Sequence, residues 1–345
     1  MLSTPAPSTA RRLIALARWT DWGESKLPLL AAVAVLLTPD VSAMRLLGTV
    51  TTVATGAAFG FGLNEVADRK SDAMAGKLNR AAGLHRGDWL SFLIVTFACA
   101  FGLSLMWAPD AAAPVFVLLS LGVAWVYSLP PIRLKERGRA GMAGAAAAQW
   151  GLPVLVVAAV APGGWHRPQA LLVGLLSAAI GLRHIAVHQL ADAPADRRAG
   201  VSTYLSERTH ANGLLEAIFG SELVLLAAAL TACWPRSMAA VVALAVFGVY
   251  ELSPLSSSER LSVRLAGYRQ SPLSGYYFFA LPLALAVKEF VSHPSSPAVP
   301  CLLLVLLLPQ LVTRLRRWTG AHSPGVDRAI ASTHRPVVSA REPQQ

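Results

Sequence analysis

Three oxygen-bearing side chains recur at four-residue intervals in GAAFGFGLNEVADRKSDAMAGKLNR (56–80): Asn64, Asp68 and Asp72. A helix turns ~100° and rises ~1.5 Å per residue, so this spacing puts all three on one face. A second acidic pair, Asp192 and Asp196, closes the apolar run that starts at Ala170, within HQLADAPADRRAGVST (188–203). If the two helix ends are neighbours, four carboxylates and one amide meet across a polar pocket. Carboxylates that close repel unless cations stand between them, and Mg²⁺ accepts a few carboxylates while leaving positions for water and phosphate oxygens. The plainer alternative is that these aspartates cap helices or pair with Arg69, Lys70, Arg197 and Arg198. That leaves their recurrence at two apolar helix ends without a reason, because ionisable groups at membrane depth are costly.

Further charged and polar residues accompany both motifs. Lys77 and Arg80 follow Asp72, and the string YSLPPIRLKERG (127–138) carries Tyr127, Ser128, Arg133 and Lys135 behind a Pro-Pro stop that ends a helix and stiffens its exit. Arg183, His184 and His188 precede Asp192, with His184, His188 and Asp192 at successive i, i+4 positions. Two histidines and an aspartate can ligate a transition metal, but an oxygen-rich site suited to phosphate favours Mg²⁺. The histidines also read as hydrogen-bonded members of a polar seam, with His188 as a candidate proton acceptor.

These elements resemble the UbiA superfamily of intramembrane prenyltransferases, which carries NxxxDxxxD after its second helix and DxxxD after its sixth. NEVADRKSD is similar to the 4-hydroxybenzoate branch, and YSLPPIRLKERG to the loop after the fourth helix in the homogentisate and chlorophyll-synthase branches. Two departures stand out: Glu65 follows Asn64 where the family usually has Asp, and no proline-rich segment follows Arg80. The resemblance implies Mg²⁺-dependent transfer of an isoprenyl group from an allylic diphosphate to a lipophilic acceptor. Asn64, Asp68, Asp72, Asp192 and Asp196 are the expected metal ligands, the four aspartates and His188 the catalytic set. Asn64, Lys77, Arg80, Tyr127, Ser128, Arg133, Lys135 and Arg197 are the expected diphosphate-binding set, and Phe59, Phe61, Trp125 and Trp150 an aromatic wall for an allylic cation. Rival readings are a terpene cyclase using the same metal site and a non-catalytic transporter.

The chain that must position these residues has 345 residues, 54% of them hydrophobic and 14% charged, a composition that excludes an ordinary water-soluble globule. Runs near 20 apolar residues predict helices at about 25–38, 43–63, 88–107, 112–128, 142–162, 168–190, 212–233, 237–253, 273–290 and 299–315. The expected fold is therefore all-α, a polytopic bundle of nine or ten transmembrane helices with a cytoplasmic-side pocket. Residues 1–24 form an N-terminal segment without signal-peptide character, 25–318 the transmembrane domain and 319–345 a tail expected to be disordered. Of the 30 Lys and Arg, 25 fall at the two ends of the chain and in alternate loops, which predicts that both termini and both Asp motifs are cytoplasmic, in a bacterial inner membrane. The +11 net charge is thereby assigned to membrane-flanking loops facing lipid, with no nucleic-acid partner. Trp22, Trp89, Trp107, Trp165, Trp234 and Trp318 are expected in an interfacial belt, and Cys99, Cys233 and Cys301 in buried packing.

Overall fold

The computed structural model describes residues 9–38, 40–198, 204–205, 211–252 and 273–318, which are helical and contain no strand. In chain order the helices are α1 (Thr9–Leu16), α2 (Trp19–Leu37), α3 (Ala43–Ala67), α4 (Arg69–Ala75), α5 (Arg86–Trp107), α6 (Ala112–Ser128), α7 (Arg139–Ala146) and α8 (Leu152–Ala158). They continue as α9 (Pro168–Arg198), α10 (Ala211–Ala232), α11 (Met238–Leu252), α12 (Leu281–Ser292) and α13 (Ala298–Trp318). Two π-turns interrupt the pattern, Ala147–Gly151 joining α7 to α8 and Tyr276–Ala280 leading into α12. Six helical segments among the described residues are long and apolar enough to cross a membrane; α6 and α11 are apolar but shorter. The expected tail, 319–345, lies outside the described residues.

Helix α2 is the axis of the bundle. Every residue from Leu27 to Leu37 is buried, and α3, α8, α12 and α13 pack around it. A helix apolar on all sides belongs in an interior, so this one is enclosed by protein rather than by lipid. It also starts six residues earlier than the apolar run, at Trp19, because Arg18 turns left-handed (φ 52°) and separates it from α1. The indole of Trp22 then goes into the core, where Nε1 donates to the Ala17 carbonyl at 2.8 Å. Trp22 is thus no belt residue, and Trp107 turns inward to donate to Thr52 Oγ1 at 2.8 Å. The opposite error occurs with cysteine: Cys99 and Cys301 face outward and only Cys233 is buried.

α3 packs against α5 and α6, and α9 against α7, α8 and α10. Ser42 caps α3, its hydroxyl accepting from the Arg45 amide at 3.3 Å. The outer helices present apolar side chains such as Ile94, Met106, Val224 and Val305, an exposure that suits lipid contact. One glycine has a defined steric duty: a Cβ on Gly141 of α7 would stand 2.5 Å from the Leu134 carbonyl oxygen. The loop after α6 is thereby laid directly on α7, which brings Arg133 and Lys135 over the bundle.

Candidate active site

Asp68 interrupts α3, yet its amide still bonds to the Asn64 carbonyl at 2.9 Å and the Asp72 amide to the Asp68 carbonyl at 2.8 Å. The i, i+4 register therefore runs through the junction, and Asn64, Asp68 and Asp72 line one cavity of about 520 Å³. Asp192 of α9 lines it from the other side, with His188 one turn earlier. Among the described residues, Asp192 of the second motif thus shares one cavity with Asn64, Asp68 and Asp72 of the first. Asp196 and Arg197 follow on the α9 backbone, but their side chains lie outside the described residues.

Cations fill the space between these carboxylates. Lys77 Nζ is 3.1 Å from Asp192 Oδ2 and so ties the loop after the first motif to the second. Arg133 NH2 is 3.2 Å from Asp68 Oδ1, and Lys135 is bound to that same oxygen and, at 3.2 Å, to Asn64 Oδ1. Ser128 Oγ lies 3.5 Å from Asn64 Oδ1, and Tyr127 is also on the cavity wall. Burial pulls the Lys135 ammonium below its ordinary pKa, against the opposing pull of its charge and hydrogen-bond contact with Asp68. His188 Nε2 stands 3.7 Å from Asp192 Oδ2.

Arg80 has a different position from the other expected diphosphate ligands. It does not line the cavity but grips Glu65, with its amide 2.6 Å from Oε2 and NH1 3.2 Å from Oε1, and reaches Asp21 at 3.6 Å. Arg18 joins the same carboxylate at 3.3 Å. Glu65, the departure from the family pattern, is thus the buried centre of a clasp that fastens α2 and the 77–80 loop to α3. Asn79, not anticipated from the sequence, completes it: Nδ2 donates to the Glu65 carbonyl at 2.8 Å and to Asp72 Oδ2 at 2.7 Å. Its signal was a short amide side chain just beyond Gly76, whose left-handed φ of 65° caps α4, a combination typical of turns that bond back to backbone.

The aromatic wall is only half as expected. Phe61 and Trp150 line the cavity, whereas Phe59 packs at 5.8 Å against Phe97 and Trp125 is 55% exposed on the outside. Positions 59 and 61 on α3 are two residues apart, so they leave the helix ~200° apart and cannot share a wall. Arg183 likewise departs from its neighbour: its guanidinium turns to Glu222 of α10, with Nε–Oε2 2.6 Å and NH2–Oε1 3.1 Å, both side chains essentially inaccessible.

The donor set toward a metal is all oxygen: one amide from Asn64 and carboxylates from Asp68, Asp72 and Asp192. That chemistry suits Mg²⁺ rather than a softer ion. Among the described residues no three His, Cys, Asp or Glu side chains stand together closely enough to hold an ion by themselves. The same pocket holds Lys77, Arg133 and Lys135, whose charge-assisted hydrogen bonds have the chemistry to receive an oxyanion.

The described residues form a helical bundle with six membrane-length apolar helices, the mark of an integral membrane protein, and Asn64, Asp68, Asp72 and Asp192 line one cavity in it. The sequence profile of the UbiA prenyltransferase family matches residues 26–265, and the chain belongs to that family. Among solved structures it is similar to a UbiA homologue from Archaeoglobus fulgidus bound to DMAPP and Mg²⁺, with 17% identity and a TM-score of 0.55, covering 78% of this chain and 99% of that one. The homologue bound to GPP and Mg²⁺ gives 18% identity, TM-score 0.52 and coverage of 79% and 99%. Its Cd²⁺-bound structure gives 17%, 0.52 and the same coverage. At these identities the likeness establishes the fold. No curated protein sequence matches the chain.

Proposed function

We propose that this protein transfers an isoprenyl group from an allylic diphosphate to a lipophilic acceptor, releasing diphosphate. The observation that carries the reading is the meeting of Asn64, Asp68 and Asp72 with Asp192 in one cavity that also holds Lys77, Arg133 and Lys135. Asn64 and the aspartates, with Asp196 four residues beyond Asp192, would hold Mg²⁺, which when bound supplies Lewis-acid neutralisation of the diphosphate charge. Lys77, Arg133 and Lys135 bind the remaining phosphate oxygens, with Tyr127, Ser128 and Arg197 at the edge of that set.

The C–O bond to the allylic carbon breaks and the electron pair leaves with diphosphate. A carbon or oxygen of the acceptor bonds to the allylic carbon and releases its proton, for which His188, 3.7 Å from Asp192 on the cavity wall, is the candidate base. Phe61 and Trp150 offer π faces to the positive charge, and the lower wall of Leu27, Leu30, Val53, Val117 and Leu121 keeps water away and accommodates a prenyl chain. Arg80, held by Glu65, acts as a strut in this scheme.

The membrane domain, 25–318, carries the reaction, crossing nine or ten times with both termini and the pocket on the cytoplasmic side of a bacterial inner membrane. The asymmetry of Lys and Arg supports that orientation. The reading is tested by incubating membranes containing the protein with labelled allylic diphosphates of several lengths, a lipid extract as acceptor, and either Mg²⁺ or chelator. A labelled lipid that requires both the extract and the metal is expected. A labelled hydrocarbon formed without the extract would point to the cyclase instead, and no product under any condition would refute catalysis.

A further inference from the structure

At the end of the bundle opposite the aspartates, a second cavity of about 320 Å³ opens between the last turn of α2 (Leu36, Leu37), the start of α9 (Arg167, Gln169) and the link from α10 to α11 (Ala232 to Arg236). Arg167 precedes Asp192 by 25 residues, about 37 Å at helical rise, which puts the two at opposite surfaces of a bilayer. The connections at this end are 38–42, 108–111, 159–167, 233–237 and 293–297, and the only Lys or Arg in their sequences are Arg167 and Arg236. Both line this one cavity, and no Asp or Glu does. Asp110 is turned instead to the amides of Ala112 at 2.8 Å and Gly163 at 3.4 Å. The carbonyls of the adjoining helix ends are already served, Leu37 by Arg167 NH1 at 3.5 Å and Ala232 by Gln169 Nε2 at 3.1 Å. A guanidinium has five donors, so Arg167 keeps most of its own. The Arg236 side chain has no hydrogen-bond or ion-pair partner among the described residues. Around these cations the wall is apolar: Leu36, Leu37 and Cys233 are buried, and the Trp234 indole stands 60% exposed at the rim.

We propose that this cavity binds the phosphate of an anionic glycerophospholipid from the leaflet opposite the candidate active site. Arg167 and Arg236 hold the phosphate oxygens by charge-assisted hydrogen bonds, Leu36 and Leu37 receive the glycerol and the first methylenes, and Trp234 lies alongside at the interface, where tryptophan is favoured. Basic pockets between membrane helices have the chemistry to take lipid headgroups. The headgroup follows from the missing acid. A choline or ethanolamine lipid brings an ammonium that finds no carboxylate in the cavity, whereas a phosphatidylglycerol brings only the charge that two arginines need. Free phosphate offers the same oxygens but nothing for the apolar wall. The bound lipid joins α2, α9 and the α10–α11 link at one point, and prenyl transfer plays no part in the inference.

The test is equilibrium binding to the purified full-length protein in detergent, with dihexanoyl phosphatidylglycerol, dihexanoyl phosphatidylcholine and inorganic phosphate as probes. The phosphatidylglycerol is expected to bind at least ~10-fold more tightly than either of the others, about 1.4 kcal/mol. Arg167→Gln with Arg236→Gln should reduce it to the level of the phosphatidylcholine. Lys70→Gln with Arg86→Gln, which removes two exposed cations at the other end of the bundle, should leave the preference intact. Equal binding of the two lipids by the unaltered protein overturns the proposal without recourse to any variant. An equal loss in the Lys70 and Arg86 pair would reduce the preference to net charge and overturn it as well. Inorganic phosphate that binds as tightly as the phosphatidylglycerol would assign the cavity to a free anion and exclude the lipid.

Discussion

Removal of the Glu222 carboxylate is the most quantitative probe of how this bundle aims its site. Arg183 and Glu222 are at most 1% exposed and joined by two short contacts, so neither charge has water to fall back on. Breaking such a pair leaves one uncompensated buried ion and costs about 3–5 kcal/mol, whereas exchanging both partners for apolar residues of similar size is often close to neutral. Glu222→Ala should therefore destabilise the protein by ~3–5 kcal/mol, and Arg183→Met with Glu222→Leu should recover most of that loss. Thermal and denaturant unfolding in detergent, run as a double-mutant cycle, measures both. A functional reading accompanies the stability one. Arg183 fixes the rotation of α9, and the next residue, His184, starts the i, i+4 series through His188 to Asp192 that faces the cavity. The refolded double variant should keep its stability yet lose donor affinity if that rotation drifts. A single substitution that costs less than about 1 kcal/mol would refute the buried-charge argument, since exposed pairs lie in that range.

Asp68→Asn and Asp192→Asn should each lower Mg²⁺-dependent formation of prenylated lipid by at least ~100-fold, the scale on which loss of a preorganised charge-stabilising group acts, with unfolding temperature held as a control. Unchanged turnover in either would exclude its metal role. Lys77→Met should weaken allylic diphosphate binding about 10-fold while changing stability by less than ~1 kcal/mol, since both partners in its ion pair are about a third exposed. A large loss of stability with normal donor affinity would make Lys77 a structural tie only. Gly181→Ala should cost ~1–3 kcal/mol and disturb the cavity, because the new Cβ would stand 2.6 Å from the Trp150 ring. Gly122→Ala, with no heavy atom within 4 Å of its added carbon, is the matched control, and equal effects would refute the packing account.

Helix positions and the two acidic motifs were legible because each is written in local periodicity: apolar runs of membrane length, and side chains at i, i+4. The register even survives the break at Asp68, since its hydrogen bonds do. What could not be read depends on contacts between distant segments. Glu222 lies 39 residues from Arg183, and nothing in either local pattern pairs them. Arg80 was read as a phosphate ligand by proximity to the motif, but the carboxylate of Glu65 outcompetes the cavity for it. The π-turns escape the eye because one extra residue in a helical turn leaves an apolar run unaltered while rotating everything beyond it, which is how Gln149 and Trp150 come to face Lys26. Trp22 and Cys99 were misassigned because residue type alone does not say which side of a helix meets protein and which meets lipid.

Helix α9 spans 31 residues, about 46 Å at helical rise, while a hydrocarbon slab is only ~30 Å thick. Some ten residues must overhang the slab, and the lettered end of the helix, from His188 to Arg198, is the part with the polarity to do so. In the proposed reaction, bond making and ion release would then be divided by the lipid boundary, with oily reactants meeting on one side of it and the spent polyanion departing from the other. A product that charged would never have to traverse a low-dielectric medium, and each partner would be discharged into the phase where it is already soluble.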